Sequence, residues 1–215
     1  MPTPATLSSS LSPSTSTATR RAFLTRAAGT GLVIAAGATT ALATASPAQA
    51  AQHLWRWCYQ CSQLWFSGNG SGYCPVGSGI FGWDHGHQSA SSGDYVLLYD
   101  TDPGVGDTSW RWCRDCAALW SKGWWDSGRT TSYCPNSSRP LRWHNYTGSG
   151  TYKVEALPDG TNGPGGQRQW FLCTRCSGLF FTGNGSNGTC PAGGAHRHWV
   201  SPEPQIGYEY VLRQL

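Results

Sequence analysis

Nine cysteines fall into three groups of three, each group opening with a Cys-x-x-Cys set between aromatic residues, and this recurrence limits the possible folds more than any other feature. The first copy runs Trp55-Arg56-Trp57-Cys58-Tyr59-Gln60-Cys61-Ser62-Gln63-Leu64-Trp65-Phe66. The second runs Trp110-Arg111-Trp112-Cys113-Arg114-Asp115-Cys116-Ala117-Ala118-Leu119-Trp120, and the third Trp170-Phe171-Leu172-Cys173-Thr174-Arg175-Cys176-Ser177-Gly178-Leu179-Phe180-Phe181. Each is followed by a Cys-Pro pair, then histidine, then a tyrosine-bearing apolar stretch. The first cysteines lie 55 and 60 residues apart, a period that demands a repeat reading before any other.

Alternation sets the local structure. Trp55 and Trp57 share one face of a strand, and Leu64 and Phe66 oppose Trp65, so each Cys-x-x-Cys is expected at the tip of a β-hairpin. Gly68, Gly123 and Gly183 each stand ten residues after the first cysteine of their copy, where the returning strand must turn. Tyr95–Tyr99, Tyr152–Ala156 and Tyr208–Leu212 read as one closing strand per unit. Gly, Pro, Ser and Asn recur every few residues and exclude long helices. The sequence therefore predicts an all-β chain of three pseudo-repeats of about four short strands each. A closed pseudo-threefold arrangement of the β-trefoil kind is favoured, because the joints Asp102–Asp107 and Pro158–Gly166 are short. Tandem zinc-ribbon-like units are the open alternative.

The first fifty residues are read as a leader. Thr19-Arg20-Arg21-Ala22-Phe23-Leu24 precedes an Ala/Gly-rich apolar run, and Ala48-Gln49-Ala50 supplies a small-x-small cleavage pattern. The paired arginines resemble a twin-arginine export signal, with an ordinary secretory leader as the alternative. The run has too little Leu and Ile for a retained membrane helix. The expected organisation is a cleaved signal peptide over 1–50, repeat one over 51–107, repeat two over 108–166 and repeat three over 167–215, the last three forming one compact domain. Three of the fifteen basic residues lie in the leader, leaving twelve against eleven acidic ones. A near-neutral mature chain lacks the basic footprint of a nucleic-acid binder, and no later segment is long and apolar enough for a membrane span.

The cysteine groups carry the chemistry. Two thiolates held two residues apart at a hairpin tip provide one edge of a tetrahedron, and a distant Cys and His complete it. The sequence thus predicts three structural zinc sites: Cys58, Cys61, Cys74 with His85; Cys113, Cys116, Cys134 with His144; and Cys173, Cys176, Cys190 with either His196 or His198. In the first repeat His87 also stands in range, but alignment on Trp83, Trp143 and Trp199 favours His85 there and His198 in the third; spacing from the Cys-Pro pair favours His196. Disulfides are the rival in an exported chain. Three cysteines cannot pair within a unit, nine cannot pair within a monomer, and disulfides would leave the recurrent histidines unexplained. His53 is expected at the surface.

The Cys-x-x-Cys-x-x-Leu-aromatic segment resembles the zinc knuckle of zinc-ribbon proteins over about ten residues per repeat. The longer pattern, through Cys-Pro, His and the Tyr stretch, resembles Trp/Cys/His repeat modules of secreted bacterial proteins. That resemblance covers nearly all of the mature chain and implies no reaction. The leader's composition resembles those of high-GC Gram-positive bacteria, which places the destination in the medium or the wall.

Aromatic residues at matching repeat positions, Trp55, Trp110 and Trp170, or Trp65, Trp120 and Phe180, are expected to pack the interior. Residues that break the repeat are better candidates for binding. Trp124-Trp125 stands where the other repeats carry Gly-Asn-Gly-Ser turns, and at least one of the two indoles is expected to be exposed for stacking on sugar rings. No nucleophile elbow, phosphate loop or carboxylate pair stands out. The favoured function is a non-catalytic extracellular recognition module for glycan, wall polymer or protein. A secreted protein-binding or inhibitory protein is the alternative, and a zinc hydrolase with an open site in repeat three, using Glu203 or Glu209 as base, is the least favoured.

Overall fold

The structure, a computed structural model, describes residues 51–77, 85–128, 130–136, 142–156, 166–199 and 209–215. The leader, most of the second joint, Trp83, Glu203 and Tyr208 lie outside the described residues. Nine strands are described, in three successive sets of three: β1 Gln52–Trp57, β2 Leu64–Phe66, β3 Tyr95–Tyr99; β4 Asp107–Trp112, β5 Leu119–Ser121, β6 Thr151–Ala156; and β7 Gly166–Leu172, β8 Leu179–Phe181, β9 Glu209–Gln214. Within each set the first two strands form the hairpin that the alternation predicts, with Trp55 opposite Phe66, Trp110 opposite Ser121 and Trp170 opposite Phe181. The closing strand pairs with the other edge of the first, placing Tyr95 against Trp55, Tyr152 against Trp110 and Tyr210 against Trp170. Each unit therefore has three strands among the described residues rather than about four.

Closure lies in the three closing strands. Leu98 of β3 pairs with Lys153 of β6, Glu155 of β6 with Val211 of β9, and Arg213 of β9 returns to Val96 of β3. Counted from Tyr95, Tyr152 and Tyr210, the tyrosines that pair with the buried tryptophans, all three pairs join the fourth residue of one strand to the second of the next. The far half of every closing strand thus meets the near half of its successor. A cycle of this kind leaves no unpaired edge among β3, β6 and β9. At the hairpin end a second cycle forms: Trp65 bridges Ala118, Trp120 bridges Gly178, and Phe180 bridges Gln63. The all-β, closed pseudo-threefold architecture holds, and the repeats interlock at both ends rather than standing in tandem.

The core follows from this register. Trp55, Trp110 and Trp170 are fully buried, and each sets its indole edge-to-face against the closing tyrosine of the next unit: Trp55 on Tyr152, Trp110 on Tyr210, Trp170 on Tyr95, with ring centroids 5.0–5.1 Å apart. Leu64, Leu119 and Leu179 lie beneath them, with Leu97, Val154 and Leu212 from the closing strands. The hairpin faces divide as the alternation requires. Leu64 and Phe66 join this central core, whereas Trp65 joins the cysteines. Because each indole contacts a neighbouring unit, truncation removes an inter-unit contact together with apolar burial. Trp110→Ala is expected to cost about 3–5 kcal/mol, read as a lower urea midpoint at unchanged zinc content. Burial pushes the Tyr95 hydroxyl up to about 12 from an ordinary 10.0, against the opposing bonds to Gln214 and Gln167, and burial raises Tyr152 in the same way. The folded chain holds these protons more tightly than the unfolded one. The contribution of Tyr95 to stability is therefore expected to be intact below pH 10 and to disappear as pH rises toward 12, in step with late phenolate absorbance.

Candidate metal centres

Each hairpin tip is held open by its own backbone. The amide of the first cysteine donates to the carbonyl five residues on: Cys58 to Gln63, Cys113 to Ala118 and Cys173 to Gly178, at 2.8–3.0 Å. The residue after the second cysteine turns the chain in left-handed backbone, with φ of 64° at Ser62, 64° at Ala117 and 60° at Ser177. Two thiols then project from one turn toward the same point. The third cysteine and the histidine arrive on a loop that is clipped at both ends. Cys74 donates its amide to the His85 carbonyl, Cys134 to that of Arg142 and Cys190 to that of Gly194. The ligand histidine stands two residues beyond the accepting carbonyl in every case, so the length of the intervening loop does not affect the site.

Three buried clusters result: Cys58, Cys61, Cys74 and His87; Cys113, Cys116, Cys134 and His144; Cys173, Cys176, Cys190 and His196. In each, the four candidate ligand atoms lie within 4.8 Å of one another. The Sγ atoms of the first and third cysteines are 3.8–3.9 Å apart, and the second cysteine's Sγ is 3.5 Å from histidine Nδ1. Zinc–sulfur bonds of about 2.3 Å and a zinc–nitrogen bond of about 2.0–2.1 Å give tetrahedral edges of about 3.8 Å and about 3.6 Å. The observed separations match those edges and greatly exceed a disulfide bond of about 2.05 Å. Charge points the same way. In the protein alone Cys58 is held well below its ordinary range by donation from Cys61 and Cys74. Burial raises Cys61, and donation to the Cys58 thiolate pushes Cys74 up to about 12. The third cluster behaves alike, with Cys173 lowered, Cys176 raised and Cys190 pushed up to about 12. A soft donor set of three cysteine sulfurs and one imidazole nitrogen suits zinc, whose charge favours the thiolate form of its ligands.

The structure corrects one ligand and selects another. His85, expected to complete the first site, stacks on Tyr73 at 4.5 Å while its carbonyl serves the Cys74 clip; His87 supplies the ligand instead. In the third unit His196 joins the cluster and His198 stacks on Phe171 at 4.3 Å. Alignment on tryptophan misleads because the indole keeps no fixed offset from the ligand: Trp143 precedes His144 directly, whereas Trp199 follows His196 by three residues. His53 lies at the surface beside Asp94.

Two contacts fix each ligand imidazole. Trp65, Trp120 and Phe180 stack on His87, His144 and His196, with interplanar angles of 19–21°. With Nδ1 turned to the sulfurs, Nε2 carries the proton and donates it to the second cysteine's carbonyl in the next unit: His87 to Cys116, His144 to Cys176 and His196 to Cys61, each at 3.1 Å. These outer-shell bonds orient the ligand and link the three sites into a ring. The fit leaves no room for side chains at two approaches. A Cβ on Gly72 would overlap the Cys116 carbonyl, and one on Gly188 the Cys61 carbonyl.

Trp124 and Trp125 stand on a short helix, α1 Lys122–Asp126, capped by the Ser121 hydroxyl. The helical turn sends the two indoles apart: Trp124 packs against the central core and Trp125 against the second metal cluster, so both are half-buried. Glu209 is engaged by Arg168 and by the Gln169 amide. No family model matches the chain, no curated protein matches it, and no solved structure matches it.

His87→Ala is expected to lower bound zinc and the melting temperature, whereas His85→Ala leaves zinc content unchanged; the reverse pattern would restore the tryptophan-based alignment. Because the sites share a ring, His196→Ala is also expected to speed zinc loss from the first site, whose Cys61 carbonyl loses its donor. Chelator-release kinetics read this directly.

Proposed function

We propose that this chain is an exported, zinc-stabilised recognition module that carries no reaction of its own and binds an extracellular glycan or wall polymer. The observation that carries this reading is the completeness of the metal clusters. All three have four protein ligands, all buried, which is the arrangement of structural rather than catalytic zinc. The third cluster has the same donors as the other two and gives no separate footing to hydrolysis. Metal binding of this kind contributes on the order of 10 kcal/mol to folding, enough to stabilise a small core that carries large aromatic side chains at its surface.

Export is supported by Arg20-Arg21 and the small-x-small pattern at Ala48–Ala50. A route that carries folded proteins suits a chain whose thiols need zinc before they meet an oxidising compartment. Glycan binding is supported by the aromatic surface of the second unit. There Trp143 is 42% and Tyr146 49% exposed, Trp125 lies 5.5 Å from Trp143, and Lys122 stands over the Tyr146 ring. Flat, half-exposed aromatic rings of this kind are suited to stacking on pyranose faces.

Purified zinc-loaded mature protein is expected to co-sediment with insoluble cellulose, chitin or bacterial wall sacculi and to be released by soluble oligosaccharides. Failure to sediment with any of them overturns the glycan reading. Replacing Arg20 and Arg21 by lysine is expected to retain the chain in the cytoplasm; unchanged export would point to an ordinary secretory leader.

A further inference from the structure

The pseudo-threefold register makes each unit a control for the others, and one place departs from it on several elements at once. Opposite the buried tryptophan on the hairpin stand Phe66 in the first unit, Ser121 in the second and Phe181 in the third. The two phenylalanine rings fill the space beside Gly68 and Gly183, where an added Cβ would collide with them; beside Gly123 the nearest atoms belong to Ser109 instead. Loss of that ring coincides with three further changes around the same spot. Asp107 stands where Gln52 and Gln167 stand, Ala156 where Tyr99 and Gln214 stand, and Trp124 where Asn69 and Asn184 stand. Asp107, Ser109, Gly123, Trp124, Ala156 and Tyr210 line the resulting open cavity of about 340 Å³, within the range of small-molecule clefts.

We infer that this cavity is a saccharide subsite that takes one pyranose ring through a pair of vicinal hydroxyls. The inference rests on the glycan reading above and names where a sugar sits. The Asp107 carboxylate is held in place from the protein side. One oxygen accepts the Ser109 amide at 2.8 Å and the other the Tyr210 hydroxyl at 3.2 Å. A carboxylate has about four acceptor positions, so each oxygen keeps one for a ligand hydroxyl. Ser127 also lines the cavity; its hydroxyl donates to the Trp124 carbonyl at 2.8 Å, which leaves its oxygen as an acceptor. Trp124 supplies an apolar wall for the C–H face of the sugar. A quaternary ammonium fits less well: cages for such cations use several aromatic faces, and here Tyr210 turns its ring to Trp110 and its hydroxyl to Asp107.

The test uses zinc-loaded full-length mature protein with methyl glycosides of glucose, galactose, mannose and N-acetylglucosamine and their disaccharides, followed by tryptophan fluorescence and NMR shifts. Saturable binding is expected for at least one of them. Ser121→Phe, which restores the ring of the other units, Trp124→Ala and Asp107→Asn are each expected to weaken it roughly tenfold or more. Asn184→Ala, at the matching position of the third unit, is expected to leave it unchanged. Zinc content and near-UV circular dichroism report folding of each variant; Ser121→Phe and Asp107→Asn serve if Trp124→Ala fails to fold. Wild-type binding that persists in folded Ser121→Phe and Asp107→Asn overturns this subsite and leaves the glycan reading standing. Absence of binding to any saccharide together with absence of sedimentation overturns both. Saturation by tetramethylammonium in place of the sugars overturns the saccharide chemistry.

Discussion

The hydrogen bond from each ligand imidazole to a cysteine carbonyl of the next unit is the contact on which the rest of the arrangement depends. It converts three local metal clusters into parts of one closed structure. A zinc knuckle on its own orders a hairpin tip and little else. Here the residue that completes one knuckle also satisfies the backbone of the next, and the third returns to the first. The same cycle runs through the backbone, where Phe66, Ser121 and Phe181 donate their amides to Ala117, Ser177 and Ser62. With both Nδ1 and Nε2 committed, the imidazole has one tautomer and one orientation. The stacked Trp65, Trp120 or Phe180 ring holds that plane.

At the opposite end, closure is apolar. The closing strands cycle through one another, and each buried indole reaches a tyrosine that belongs to the following unit. No unit can complete its core or its metal ring alone, since each lends both a tyrosine and a carbonyl to the preceding unit and takes both from the following one. Small domains with few apolar residues depend on such supports. Away from these shared contacts the three units differ in sequence.

That freedom is most evident in the second unit. A serine in place of phenylalanine removes a ring from the rim of the core, and a helical turn carrying two tryptophans takes the place of the 3-10 turn at Ser67–Asn69. One indole returns part of the lost packing while the other joins the aromatic surface beside the metal cluster.

Much of this was legible in the linear sequence. The period of the cysteine groups, the aromatic alternation around them and the turn residues determine three hairpins with thiol pairs at their tips, because those signals act over a few residues. The parity of the cysteines and the recurrence of histidine likewise point to metal rather than disulfides. The choice of His87 over His85 was not legible. It is decided by the carbonyl that clips the third cysteine, a contact across a loop whose length differs in every unit. The fate of Trp124 and Trp125 was hidden for a similar reason, since a strand would have forced one indole outward and a helical turn lets both find cover. The cyclic order of the closing strands and the hydrogen bonds that join the metal centres arise only in the folded chain. They pair residues from different units, and no local pattern encodes which unit comes next.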